Sequence, residues 1–293
     1  MNTMNKNKSG LWAGLAAILL MGCAPATETA MKESKGPPSL STIWTTTGFE
    51  HPESVLLSAD RSWLYVSNIV GEGTERDGNG HIARVSKQGE ILQAKWAVGM
   101  DAPKGMALNG DKLYVSDIDK LIEIDTNTGA VLQTIVAAGA EFLNDVAFVP
   151  GLGVLVSDSG TQSLYLYDGN TLSVWLQHDL LAGINGLHVD GKRVLIATMR
   201  AGQLLSLDVQ SKILSVLGDG MEDADGIKIL VDGSYIISSW PGQIYHVSNE
   251  GETILLQDTA QAKIYMNDFE LEGRTLYMAN FEPGTVQAIS VDW

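Results

Sequence analysis

The 293-residue chain contains one cysteine, Cys23. A lone thiol forms no intramolecular disulfide and no thiolate metal cluster, so stability must come from apolar burial. Histidine is scarce as well: His51, His81, His178, His188 and His246 show none of the spacings that pair imidazoles on a metal. Neither G-x-S-x-G nor H-E-x-x-H occurs, which argues against a serine hydrolase elbow or a zinc protease helix. Basic side chains number 19 against 35 acidic ones, for a net charge of −16. A surface of that sign repels nucleic-acid phosphates and attracts cations, divalent metals included. Helical hydrophobic spacing is missing, and the apolar stretch from Leu11 to Met21 is too short for a bilayer-spanning helix of ~20 residues.

That stretch follows Lys6 and Lys8 and has the layout of an export signal. It ends in Leu20-Met21-Gly22-Cys23, which resembles the lipobox of bacterial lipoproteins. The resemblance implies cleavage ahead of Cys23 and a diacylglycerol on its thiol. An ordinary signal peptide that happens to hold a cysteine is the alternative. Ala24 in the next position implies the outer membrane, with the protein facing the periplasm. Residues 1–22 are therefore expected to be a signal peptide, and their removal takes away two lysines and no acid. Residues 23–40, rich in Pro, Ser, Thr and charge, are expected to be a lipidated flexible tether. Residues 41–293 remain for one large all-β domain.

A repeat organises that domain. Six short apolar runs open on a polar residue: "PESVLL" at Glu53, "PKGMAL" at Lys104, "LNDVAF" at Asn144, "INGLHV" at Asn185, "ADGIKI" at Asp225 and "MNDFEL" at Asn267. After a first interval of 51 residues the period settles to 40–42. Each unit continues with a turn, a second run such as "KLYVSD" or "GVLVSD", and a third such as "SLYLYD". In most units a fourth follows. Runs rich in Val, Ile, Leu and Tyr between Gly and Asp turns are antiparallel strands. Four strands in each of six units predict a six-bladed β-propeller. The last unit lacks a fourth strand, and residues 41–49, "STIWTTTGF", are a β-branched run with no unit of their own. That run is expected to join the last blade and close the ring; a capped solenoid is the alternative.

In a propeller the first strand of each blade lines the central channel. Glu53, Lys104, Asn144, Asn185, Asp225 and Asn267 should therefore form a ring at one mouth. The returning second strands should bring Asn68, Asp117, Asp158, Thr198, Ser239 and Asn280 close behind it. Carboxylate and carboxamide oxygens without sulfur or imidazole suit a hard divalent cation, calcium first and magnesium or another hard metal as alternatives. Asn and Asp also start strands simply to satisfy loose backbone groups. Two acids in one crowded ring are harder to explain that way, because they repel unless a cation or proton compensates.

The layout resembles the superfamily of senescence marker protein (regucalcin), gluconolactonase and paraoxonase, which includes diisopropyl fluorophosphatase. The resemblance implies Glu53, Asn144, Asn185 and Asp225 as metal ligands, with Asp225 doubling as the catalytic residue. It implies a metal-dependent hydrolase of lactones or esters acting on a small molecule. Two features depart from the pattern: Lys104 stands in the second-blade ring position, and no histidine matches the paraoxonase pair. Lys104 is expected to oppose the metal, to pair with Asp117 or to meet an anionic substrate. The loop at 69–80, Met199, Arg200, Trp240 and Phe281 should form the rim, with Arg200 and Trp240 joining Lys104 in substrate binding. A non-catalytic ligand- or protein-binding propeller, its metal structural or absent, is the other class open. "GLHVDGKR", residues 186–193, is close to a phosphate loop but reads as strand, turn and strand. His188 within it is expected to serve between blades.

Overall fold

The structure is a computed structural model that describes residues 36–292. The export signal, Cys23 and most of the tether lie outside the described residues. Six four-stranded antiparallel sheets follow one another along the chain. Blade one comprises β2 (Pro52–Leu57), β3 (Trp63–Asn68), β4 (Gly80–Ser86) and β5 (Ile91–Met100), and blade two β6 (Pro103–Asn109), β7 (Lys112–Asp117), β8 (Lys120–Asp125) and β9 (Val131–Val136). Blade three is β10 (Leu143–Val149), β11 (Gly153–Asp158), β12 (Ser163–Tyr167) and β13 (Leu172–Gln177). Blade four is β14 (Ile184–Asp190), β15 (Arg193–Thr198), β16 (Gln203–Asp208) and β17 (Leu214–Gly218). Blade five holds β18 (Ala224–Ile229), β19 (Tyr235–Ser239), β20 (Gln243–Val247) and β21 (Thr253–Asp258). Blade six has β22 (Tyr265–Glu272), β23 (Thr275–Glu282) and β24 (Thr285–Asp292), and its fourth strand is β1 (Ser39–Thr47).

The N-terminal segment thus closes the ring as its β-branched run predicts, with Ser39 opposite Asp292 and Thr47 opposite Thr285. The strand lies two residues earlier than 41–49. Gly48, at φ 100°, ends it, a conformation open chiefly to glycine. The chain then turns inward and buries Phe49 against blade one. Trp44 pins the closing strand: its Nε1 donates to the Lys87 carbonyl at 3.1 Å and its ring packs 6.2 Å from Tyr277.

Apolar burial is concentrated between blades. Six clusters of buried residues each straddle one junction, for example Tyr114 and Leu121 of blade two with Val156 and Tyr165 of blade three. The alternation along each strand sends one set of side chains to each neighbour, so every blade is covered on both faces. At roughly 1.5–3 kcal/mol for a fully buried aliphatic side chain, these junctions hold a ring that has no disulfide among its described residues.

One irregularity recurs in all six blades. Pairing between the first and second strands slips at residues 53–54, 104–105, 144–145, 185–186, 225–226 and 267–268. Each slip places a β-bulge on a ring residue and its successor. A bulge re-aims a side chain that the pleat would otherwise send into a blade junction.

Candidate metal centre at the channel mouth

The bulges bring the six ring residues to one place. Glu53, Lys104, Asn144, Asn185, Asp225 and Asn267 all line a single cavity of about 200 Å³, and all six are buried. Its outer wall is apolar, made by Ile69, Phe142, Met199, Trp240 and Phe281. Trp240 and Phe281 meet edge to face at 5.2 Å. Lys104 and Trp240 therefore stand where the sequence places them, whereas Arg200 is exposed and does not line the cavity. Gly73 brings the 69–80 loop against the wall.

Each bulge leaves a backbone N–H facing away from the ladder, and serines on the second strands collect several of them. Ser67 Oγ accepts from Ser54 N at 3.0 Å, Ser157 Oγ from Asp145 N at 2.8 Å and Ser238 Oγ from Gly226 N at 2.9 Å. In blades one to three the last residue of the second strand, Asn68, Asp117 or Asp158, grips the approach to the ring. Asn68 Oδ1 accepts from Glu50 N at 3.1 Å; Asp117 accepts from Asp101 N and Ala102 N at 2.9 and 2.8 Å; Asp158 accepts from Glu141 N and Phe142 N at 3.0 Å each. These side chains were expected close behind the ring, with no role assigned. In blades one to three they are spent on the backbone two or three residues ahead of Glu53, Lys104 and Asn144. Sequence reasoning assigned no role to the serines, although "SN" and "SD" recur at one repeat position.

The residue after each ring position adds a second tier. Ser54, Gly105, Gly186 and Gly226 are small, and Asp145 and Asp268 are acidic. A Cβ on Gly105 would stand 2.2 Å from Asp145 Oδ1, and one on Gly226 would stand 2.4 Å from Asp268 Oδ1, so glycine makes room for the neighbouring blade's carboxylate. Asp268 Oδ2 accepts from Ser54 Oγ at 2.9 Å, and Asp145 Oδ2 accepts from Leu187 N at 2.6 Å.

Crowding of like charge dominates the electrostatics. Burial, then Asp225 and Asp268, raise the Glu53 carboxyl well above its ordinary pKa. Burial, then Asp268 and Asp145, do the same to Asp225, partly offset by a hydrogen bond from Asn185. Asp145 is raised by burial and Asp268. Burial lowers Lys104, while Glu53 and Asp117 pull the other way. Lys228, further along β18, is held above its ordinary value against burial by Glu270, Asp268 and Asp145. Burial and Lys228 push His188 down to about 3, so it is neutral, and it does not line the mouth.

Lys104 does not pair with Asp117. Its Nζ donates to the carbonyls of Gly73 and Ala102 at 3.0 Å each and lies 4.5 Å from the centre of the Phe142 ring. Asp117 is taken up by its two backbone donors and by Lys120 Nζ at 3.5 Å.

Two oxygens on the ring, Glu53 Oε2 and Asn144 Oδ1, are buried with no hydrogen-bond donor. An oxygen left in that state costs about 1–3 kcal/mol, more when charged, which a bound cation would offset. The donor set fits a hard cation on that observation. Among the described residues no three His, Cys, Asp or Glu side chains gather as a metal cluster, and the ring itself offers two carboxylates, the rest of its oxygens being carboxamides. A larger cavity, about 290 Å³, lies near the far end of β2 around Arg84, whose guanidinium stacks on Trp63 and Trp96 at 4.6 and 4.3 Å. It has no convergent acids; the smaller cavity holds the chemistry.

No protein-family model matches the chain, and no curated protein matches it. Among solved structures it is similar to a virginiamycin B lyase from Staphylococcus aureus, in a catalytically inactive variant with one histidine replaced by alanine, crystallised with quinupristin. The match has a TM-score of 0.58 at 10% identity and covers 86% of this chain and 99% of the other. It shows the propeller fold.

Proposed function

We propose that this protein is a divalent-metal-dependent hydrolase of lactones or esters, calcium being the first choice of ion. It is held by Glu53, Asn144, Asn185 and Asp225. The observation that carries the reading is the pair of donorless buried oxygens on Glu53 and Asn144, in a ring shared with Asp225. Charge balance supports it. Four carboxylates, Glu53, Asp145, Asp225 and Asp268, act on one another in the two tiers, against the two ammonium groups of Lys104 and Lys228. A divalent cation restores neutrality there. The resemblance to the regucalcin, gluconolactonase and paraoxonase superfamily points the same way. Export and anchoring through Cys23 belong to the proposal too, and place the mouth in a periplasmic setting.

When bound, the ion supplies Lewis acidity toward a carbonyl or phosphoryl oxygen. Asp225 is the base: it takes a proton from the attacking water and returns it to the leaving oxygen as the acyl C–O bond breaks. Asn185 orients the Asp225 carboxylate. The aromatic wall holds the acyl group and excludes bulk water. The lyase neighbour is catalytically inactive once one histidine is replaced by alanine, and among the described residues no histidine lines the present mouth, so that histidine's role is not carried over.

The second reading is a binding propeller without turnover, favoured by Lys104 in the ring. An assay of the purified protein on lactones and aryl esters, with calcium and with chelator, separates the two. Hydrolysis that chelator abolishes and Asp225→Asn removes in a folded protein supports the enzyme. Tight calcium binding with no turnover on any substrate selects the binding module.

A further inference from the structure

The four proposed ligands come from blades one, three, four and five. Blade two presents Lys104, and in a six-membered ring blade two faces blade five, so Lys104 and Asp225 hold opposed ring positions. Lys104 is 2% exposed, and an ammonium has three N–H groups. Two go to the Gly73 and Ala102 carbonyls, which are uncharged: they solvate the ammonium and leave its charge standing. Glu53 and Asp117 act on it through space, yet among the described residues no carboxylate lies within 4.0 Å of its Nζ. The third N–H is unclaimed. The Phe142 ring beside it keeps water away, which strengthens its attraction for a compensating charge. The cavity holding this group has an apolar outer wall, with Glu53, Asp225 and the three asparagines deeper in the ring where the ion would sit, and has room for a ligand of about ten heavy atoms.

We propose that Lys104 is an oxyanion-binding residue that makes the mouth selective for small aryl or alkyl carboxylates, with the carboxylate on the free N–H and the hydrocarbon against Phe142, Trp240 and Phe281. The inference rests on the reading above for the location of the ligand, and deepens it. Hydrolysis of an ester or lactone makes a carboxylate, so the product of that reaction is itself such a ligand. Binding through Lys104 does not require turnover, however, and is measured separately.

Three probes of one shape and different charge test it: benzoate, uncharged benzamide and cationic benzamidine, titrated by calorimetry into the purified protein with calcium and with chelator. The wild type is expected to bind benzoate about tenfold or more tightly than benzamide, and benzamidine least. Lys104→Met should erase the preference for benzoate over benzamide, and Lys104→Arg should keep most of it. Absence of benzoate binding at millimolar concentration, equal binding of the three probes by the wild type, or an undiminished preference in folded Lys104→Met would each overturn the proposal. If Lys104→Met does not fold, the wild-type ranking and Lys104→Arg still decide it. Charge selectivity without any ester hydrolysis would sustain this inference while removing the hydrolase; hydrolysis without charge selectivity would do the reverse.

Discussion

Asp158 accepts the backbone N–H of Phe142 at 3.0 Å, from the far end of the second strand of blade three to the residue two places ahead of Asn144. The same carboxylate accepts from Glu141 N at 3.0 Å and Gly160 N at 2.9 Å. It never faces the cavity, yet it sets where Asn144 starts.

Replacing that acceptor strands several backbone donors. Asp158→Ala should therefore cost about 2 kcal/mol in a denaturant melt. It should also weaken calcium binding in calorimetry, although Asp158 is no ligand. Unchanged calcium affinity in a folded Asp158→Ala protein would show that Asn144 needs no such support.

Glu53 and Asp225 carry the formal charge of the proposed ligand set. Glu53→Gln and Asp225→Asn should each weaken calcium binding by at least about tenfold, roughly 1.4 kcal/mol. Asn267→Ala, in the ring but outside that set, should lose much less. Titrations in which Asn267→Ala matches the acid variants would redraw the coordination shell.

Removing the ion exposes the repulsion. Both carboxyls have folded pKa values raised by burial and by neighbouring acids. Their protonated forms are thus favoured by folding. That stabilisation is complete below the ordinary carboxylate pKa of about 4 and is lost as pH rises through the raised values. In chelator, Asp225→Asn should melt a few degrees above the wild type at pH 7.5, and the gain should vanish toward pH 4. Saturating calcium should reverse the order at pH 7.5. A wild type that outlasts Asp225→Asn in chelator at pH 7.5 contradicts the electrostatic account.

The closing strand supplies a stability test away from the mouth. Trp44 is half-buried against Tyr277 and donates to Lys87 O. Trp44→Ala should cost about 2 kcal/mol. Removal of the residues before Gly48 should leave β24 as an open edge and promote self-association, visible by light scattering.

The period of the apolar runs made the blades legible, because each blade is a local meander and its strands lie close in sequence. Closure was legible from one missing strand and one spare run. The ring itself could be read because all six polar residues hold the same place in the repeat. The bulges could not, since a slip in pairing is a relation between two strands and leaves no mark on either. Lys104 shows the same limit. Its partner Gly73 belongs to another blade's loop, 31 residues away, and the sequence offered the nearer acid Asp117 instead. Arg200 follows Met199, which does line the cavity, but its side chain points outward, and neighbouring positions alone do not tell the two apart.

Ser39 pairs with Asp292, so the circle is sealed by two segments 253 residues apart along the polypeptide. Five blades are built from consecutive strands and can each form from a contiguous stretch, whereas the sixth waits for a distant encounter and its loop-closure cost. Refolding from denaturant is therefore expected to finish at that seam.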